Sequence, residues 1–307
     1  MQRVVVRELP TGEICRVYPF HVCMKGTEST VLCRDDADYD AMVKIIAVAA
    51  SRKNVIIIIY AVVSTHCHVA VLSASQADAD AFAEEVKRVY SMWFNRRYGE
   101  NGVLRRVSMS ALYLDNDWYV RNALAYIPRN ALDNGCNVNE YEWSGYRAMF
   151  HSPPAPAGVR VSSLNKRDRE RILHTAKDLK GVRWRIDQDG HLIPDSFCDT
   201  AYLEQAFNGD QAFFLKTIGN LNPLEMNERL VDSPRMRVSD AELLKSIEEL
   251  SHRWFSAGLA DIPLEKKMRL LPYVVRTRKT SAAQLSRIFG FKREVTEEAM
   301  RTLMKKQ

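Results

Sequence analysis

None of the six cysteines (Cys15, Cys23, Cys33, Cys67, Cys136, Cys198) stands in a CxxC spacing with another. Neither a zinc knuckle nor a disulfide framework is indicated, which fits a reducing compartment. No basic flank followed by an apolar run opens the chain, and the one long apolar stretch, residues 55–72, contains Ser64, Thr65, His66 and His68. The expectation is a soluble cytoplasmic protein with no membrane partner. The formal net charge of +6 is unevenly placed: residues 265–307 hold twelve Lys/Arg against four Glu, which leaves the rest slightly acidic. A basic C-terminal end suits a phosphate backbone, although a charge run also occurs as a plain solvated face.

What is present is an alternation of strand and helix patterns. Residues 4–17 read as an edge strand or short hairpin around Pro10-Thr11-Gly12, and residues 18–24 as a strand. Met42, Ile45, Ile46 and Ala49 recur at helical spacing within residues 37–51. Residues 55–72 form a β-branched run that reads as two strands joined near 63–65. A helix over 76–98, a strand over 103–114 and a helix over 115–132 follow. The order strand, helix, strand, strand, helix, strand, helix predicts an α+β, ferredoxin-like antiparallel sheet with one helix added, and places the first and third strands centrally.

Two residue sets carry possible chemistry. Side chains alternate along a strand, so His66 and His68 share one face and Cys67 points to the other. A pair of neutral imidazoles suits a divalent metal, and it equally suits the solvated face of a half-buried strand. On the 115–132 helix the core stripe is Val120, Ala123, Leu124, Ile127 and Ala131; Tyr126 falls about 120° from it at 100° per residue. Asn130 follows four residues later on the side of Tyr126, so both can meet one target.

Phe20-His21-Val22, Arg34-Asp35-Asp36, Tyr60 through His66-Cys67-His68, Gly102 to Arg106, Tyr126-Ile127 with Asn130, and Trp143-Ser144-Gly145-Tyr146-Arg147 occur in this order. In order and spacing they resemble the REP-associated tyrosine transposases, single-tyrosine members of the HUH endonucleases, over about residues 15–150. The resemblance implies an HUH nuclease fold and a DNA endonuclease and strand transferase acting on single-stranded or hairpin DNA. It implies Tyr126 as the nucleophile that forms a 5′-phosphotyrosine, with His66, His68 and Asn130 holding a divalent ion, Mg²⁺ or Mn²⁺. Protomers in that family often pair, so a homodimer is a further expectation. The sequence departs from the pattern at Thr65, where Asn is common, at Cys67, where a bulky apolar residue is common, and at Pro128, which stands between Tyr126 and Asn130 rather than after the Asn. Proline inside a helix removes a hydrogen bond and crowds the preceding turn, which predicts Tyr126 and Asn130 turned out of line. A domesticated DNA-binding protein or regulator that no longer cleaves is therefore the second reading.

Beyond Tyr146 the resemblance fades. Residues 151–160 form a Pro-rich linker, 161–235 a helical region of no recognised role, and 236–307 a mostly helical C-terminal region. A charged helix is expected over 165–180. Arg183-Trp184-Arg185 interleaves an aromatic with cations as nucleic-acid contacts do, and a solvated helix with one packed Trp gives the same pattern; Arg105 and Arg106, in the Gly102 to Arg106 motif of the resemblance, are further candidate DNA contacts. Helices over 263–278, 281–289 and 293–305 with a turn at Gly290-Phe291 resemble a helix-turn-helix, which makes Lys292 and Arg293 candidate DNA contacts.

Overall fold

The computed structural model describes residues 2–25, 31–100, 102–133, 135–151, 158–176, 179, 181–220 and 236–304. The chain divides into two compact units, Met1–Asn227 and Glu228–Gln307.

The first unit is a curled antiparallel sheet with helices on both faces. Its strands are β1 (Val5–Glu8), β2 (Ile14–Lys25), β3 (Ile56–Val62), β4 (His66–Ser73) and β5 (Ser108–Tyr113). β2 pairs with β1 from Ile14 to Val17. From Tyr18 onward it pairs with β4, and from Phe20 onward also with β5 on its other edge. Pro19, which has no N–H to give, sits where one set of partners yields to the next. β3 borders β4, so β2 and β4 are the inner strands.

Alternation sorts the two faces. Phe20, Val22 and Met24 of β2 and Cys67, Val69 and Val71 of β4 enter one core with α1 (Asp36–Arg52) and α2 (Gln76–Tyr98). Val17, Ala70 and Leu72 enter the other with α3 (Asp117–Asp133). A register shift between Ile57 and Ile59 lets Ile58 and Ile59 both join the α3 side, after which alternation resumes. The predicted stripe Val120, Ala123, Leu124, Ile127 and Ala131 is buried throughout, so α3 lies across the face that α1 and α2 leave open.

The start of α1 is fastened to the end of α2 through Asp38. Its fully buried carboxylate accepts from Arg34 N at 2.7 Å, Arg97 Nη1 at 2.7 Å and Tyr98 Oη at 2.7 Å. Gly99 closes α2 in the left-handed region at φ 65°.

Three expectations are corrected. Residues 103–106 form a 3₁₀ turn before β5 rather than part of a strand, because Leu104 and Val107, three residues apart, both reach the core. The charged helix expected over 165–180 is only α4 (Lys166–Ile172); His174 follows at φ 50°, a left-handed conformation that no helix continues through. Residues 158–220 do not stand apart: Val161, Leu173, Leu179 and Ile186 join the first core, while α5 (Thr200–Ala206) and α6 (Gln211–Asn220) bring Tyr202, Leu203 and Phe214 to the second. Residues 152–157 of the linker and 221–235 lie outside the described residues.

The second unit has its own core of Leu243, Ile247, Leu270, Leu271, Val274, Leu285 and Phe289. Its helices are α7 (Asp240–Phe255), α8 (Leu264–Thr277), α9 (Ala282–Phe289) and α10 (Arg293–Met304). Ser239 and Glu242 form a capping box at the start of α7, and Gly290, at φ 72°, makes the turn after α9. No helix among the described residues is long and apolar enough to cross a membrane.

Candidate functional site

The α3 face of β4 meets the polar side of α3 at one cluster of rings. His66 stands at the first position of β4 and is half-buried, and His68, two residues on, is 6 % exposed. Their ring centroids are 5.0 Å apart. From α3, Asn130 Oδ1 lies 2.9 Å from His66 Nε2, and the ring of Tyr126 stands edge-on to His68 with centroids 5.1 Å apart. The four residues that the sequence singled out therefore converge, two from a strand and two from the helix across it.

α3 continues through Pro128. Tyr126 and Asn130 remain one turn apart on the same side, which corrects the expectation that the proline would turn them out of line. Asn130 Nδ2 donates to the carbonyls of Tyr126 and Ile127, both at 3.0 Å. Those two bonds orient the amide so that its oxygen, an acceptor, faces His66.

A fifth residue completes the cluster. His21 on inner strand β2 is buried, stacks on His68 with centroids 5.0 Å apart, and has Nε2 3.0 Å from His68 Nδ1. Its ring is also edge-on to Tyr126 at 6.4 Å. Burial lowers the His21 imidazole to about 4, and burial followed by the neighbouring His21 and His66 holds His68 well below the usual histidine range. Both rings are neutral at pH 7. The strand alternation in Tyr18–Met24 already places His21 on the face opposite Phe20 and Val22; what it lacks is the register that sets β2 beside β4.

The departure at Thr65 also has a place here. Thr65 Oγ1 lies 3.0 Å from His66 Nδ1. The amide oxygen of Asn130 only accepts, so His66 Nε2 donates to it here and Nδ1 accepts from the Thr65 hydroxyl; because a hydroxyl also accepts, Thr65 could take the Nδ1 proton where Nε2 gave its lone pair to a metal. His21 Nε2 can take the Nδ1 proton of His68 in the same way. Metal-ligating imidazoles characteristically give their second N–H to such a partner. Among the described residues no group of three His, Cys, Asp or Glu could hold a metal together. A third protein donor beside His66 and His68 would thus be an amide oxygen, that of Asn130; the two imidazoles suit transition-metal ions, and the amide oxygen with added water suits Mg²⁺ or Mn²⁺, so the set can take a divalent ion.

The other candidate contacts lie elsewhere. Arg105 is exposed and lines a cleft with Lys87 and Arg88 along α2, on the opposite side of the sheet. The side chain of Arg106 lies outside the described residues. Arg183 is exposed, Trp184 packs edge-on to Phe197 against the first core, and both oxygens of Asp195 accept from Arg185 Nη2 at 2.8 Å. Lys292 and Arg293 belong to the second unit, where Arg293 Nε pairs with Glu297 at 2.8 Å.

No family model matches this sequence, and no curated protein matches it. Among solved structures, the chain is similar to a REP-associated tyrosine transposase bound to a REP hairpin. The identity is 16 %, the TM-score 0.35, and the likeness covers 46 % of this chain and 85 % of that one. This is a distant likeness.

Proposed function

We propose that the first unit is a single-tyrosine HUH-type DNA endonuclease and strand transferase on a ferredoxin-like sheet, acting on single-stranded or hairpin DNA. The single observation that carries this reading is the convergence of His66, His68 and Asn130 beside Tyr126, from a rigid inner strand and the helix that crosses it.

His66 and His68, through Nε2, and Asn130, through Oδ1, would hold Mg²⁺ or Mn²⁺, whose chemistry is to neutralise the charge that develops on a phosphoryl group. The protein's own groups do the rest. Thr65 and His21 accept the Nδ1 protons and so fix which nitrogen of each imidazole faces the substrate. The two bonds from Asn130 to backbone carbonyls keep its amide from flipping. The Tyr126 hydroxyl attacks phosphorus and gives its proton to solvent, the bond to the 3′ oxygen of the preceding nucleotide breaks, and that oxygen takes a proton from solvent. The product is a 5′-phosphotyrosine and a free 3′-hydroxyl. Another 3′-hydroxyl can reverse the step and join strands, because the new ester conserves the energy of the old one.

The test is incubation of the full chain with single-stranded oligonucleotides bearing hairpins from the flanks of its own gene, with Mn²⁺, Mg²⁺ or EDTA. Cleavage with either metal, absent in EDTA and in His66→Ala and His68→Ala, supports the reading. Tight hairpin binding without cleavage under any condition transfers the conclusion to a non-cleaving DNA-binding protein.

A further inference from the structure

The helices of the second unit carry a surface that the proposed nuclease chemistry does not use. Trp254 near the end of α7 and Tyr273 on α8 are 43 % and 46 % exposed, although rings of this size are usually well covered. They touch edge to face, with centroids 5.6 Å apart. Neighbouring Phe255 is half-buried and carries Lys266 Nζ at 5.2 Å and Arg269 Cζ at 5.6 Å from its ring centre.

Along α8 the pattern is regular. Lys266, Arg269, Tyr273 and Arg276 fall within an arc of about 80° at 100° per residue, beside the buried stripe of Leu270, Leu271, Val274 and Val275. The helix has a single acid, Glu265, in its first turn. Among the described residues no carboxylate lies within ion-pair distance of Lys266, Arg269 or Arg276. α10, the helix that a helix-turn-helix would insert in a groove, is different. Arg293 and Arg301 both pair with Glu297, and Glu294 and Glu298 add further negative charge. The uncompensated positive charge next to exposed aromatic faces is therefore on α8.

We propose that Trp254 and Tyr273 form a stacking platform for unpaired nucleic-acid bases, with Lys266, Arg269 and Arg276 holding the adjoining phosphates. A base offers a flat apolar face to an aromatic ring only when it is not stacked within a duplex, and the cations select a polyanion. The ligand is a single strand rather than a duplex. This surface shares no residue with the Tyr126 cluster and stands or falls independently of it.

The experiment uses the full chain carrying Tyr126→Phe, in EDTA, so that cleavage cannot contribute. A labelled oligothymidine of twelve residues and a blunt duplex of the same length are titrated by fluorescence anisotropy at several salt concentrations. Replacing both Trp254 and Tyr273 by Ala is expected to weaken oligothymidine binding about tenfold or more and to leave duplex binding unchanged. Arg269→Ala with Arg276→Ala is expected to flatten the salt dependence of single-strand binding by about one phosphate contact or more. Trp254→Phe is expected to keep binding while removing the tryptophan quenching that the oligothymidine causes. The proposal is overturned if the double Ala variant binds oligothymidine like its parent, if single-strand and duplex binding fall together, or if quenching is the same in Trp254→Phe. Trp254, Arg269, Tyr273 and Arg276 are all exposed, so thermal melts matching the Tyr126→Phe parent establish that the variants are folded.

Discussion

His21→Phe separates what the buried histidine pair does for the fold from what it does for the site. Phenylalanine keeps a ring to stack on His68, where the present centroids are 5.0 Å apart, and removes the 3.0 Å bond between the two imidazoles. His68 is 6 % exposed, so water cannot replace the lost partner of Nδ1. An unsatisfied buried polar group costs about 1–3 kcal/mol, partly offset here by the more apolar ring. The expected net loss of stability is about 1–2 kcal/mol, read by urea denaturation in EDTA. Without His21 nothing holds the Nδ1 proton of His68, and outer-shell losses of this kind weaken metal binding by about 10–100-fold. Mn²⁺ titration followed by electron paramagnetic resonance measures that loss on the folded variant. Unchanged Mn²⁺ affinity in a folded but less stable His21→Phe would refute the orienting role and leave His21 a packing residue only.

Three further outcomes follow from the same geometry. Asn130→Ala removes the oxygen facing His66 and is expected to lower Mn²⁺ affinity at least about tenfold, with a stability cost of about 1–2 kcal/mol after the gain in helix propensity; equal affinity in the same titration would exclude Asn130 from the donor set. Acidification provides a sign test: the His21 imidazole sits at about 4 in the folded protein and near 6.5 in an unfolded chain, so the unfolded state binds more protons as pH falls between those values and stability is lost. That loss, about 2–3 kcal/mol from pH 7.5 to 4.5, should disappear from the pH dependence of His21→Phe urea midpoints; equal slopes in the two proteins would contradict it. Asp38→Ala leaves Arg97 and Tyr98 without their shared carboxylate and is expected to cost about 3 kcal/mol or more, visible as a lowered thermal midpoint with the α1 and α2 helices loosened together; a midpoint within a degree of wild type would count against the fastening role.

Much of the architecture can be read from periodicity alone. The 55–72 run could be assigned to two strands because its β-branched residues leave no helical stripe, and α3 could be aimed at the sheet because Val120, Ala123, Leu124, Ile127 and Ala131 make one. The bulge at Ile58 could not be foreseen, since four isoleucines in a row conceal which two face the same way. Leu104 and Val107 show the opposite failure: a strand pattern was expected where a spacing of three marks a turn. In the site, His66, His68, Tyr126 and Asn130 were legible from motif and helical angle. His21 was not, because its role depends on strand register, a long-range quantity that local pattern does not encode. Pro128 misled for a related reason: a proline's local cost does not say whether the surrounding packing will keep the helix whole, and here α3 is held by the sheet on one side and by α5 and α6 on the other.

The measurement that bears most directly on the central proposal is the identity of the residue joined to DNA. The full chain is incubated with its hairpin-bearing single strand and Mn²⁺, denatured, digested, and the cross-linked peptide sequenced by mass spectrometry, with Tyr126→Phe alongside. The account predicts a 5′-phosphate attached to Tyr126 and no adduct in the variant. An adduct on another residue, or one that persists in Tyr126→Phe, would contradict it.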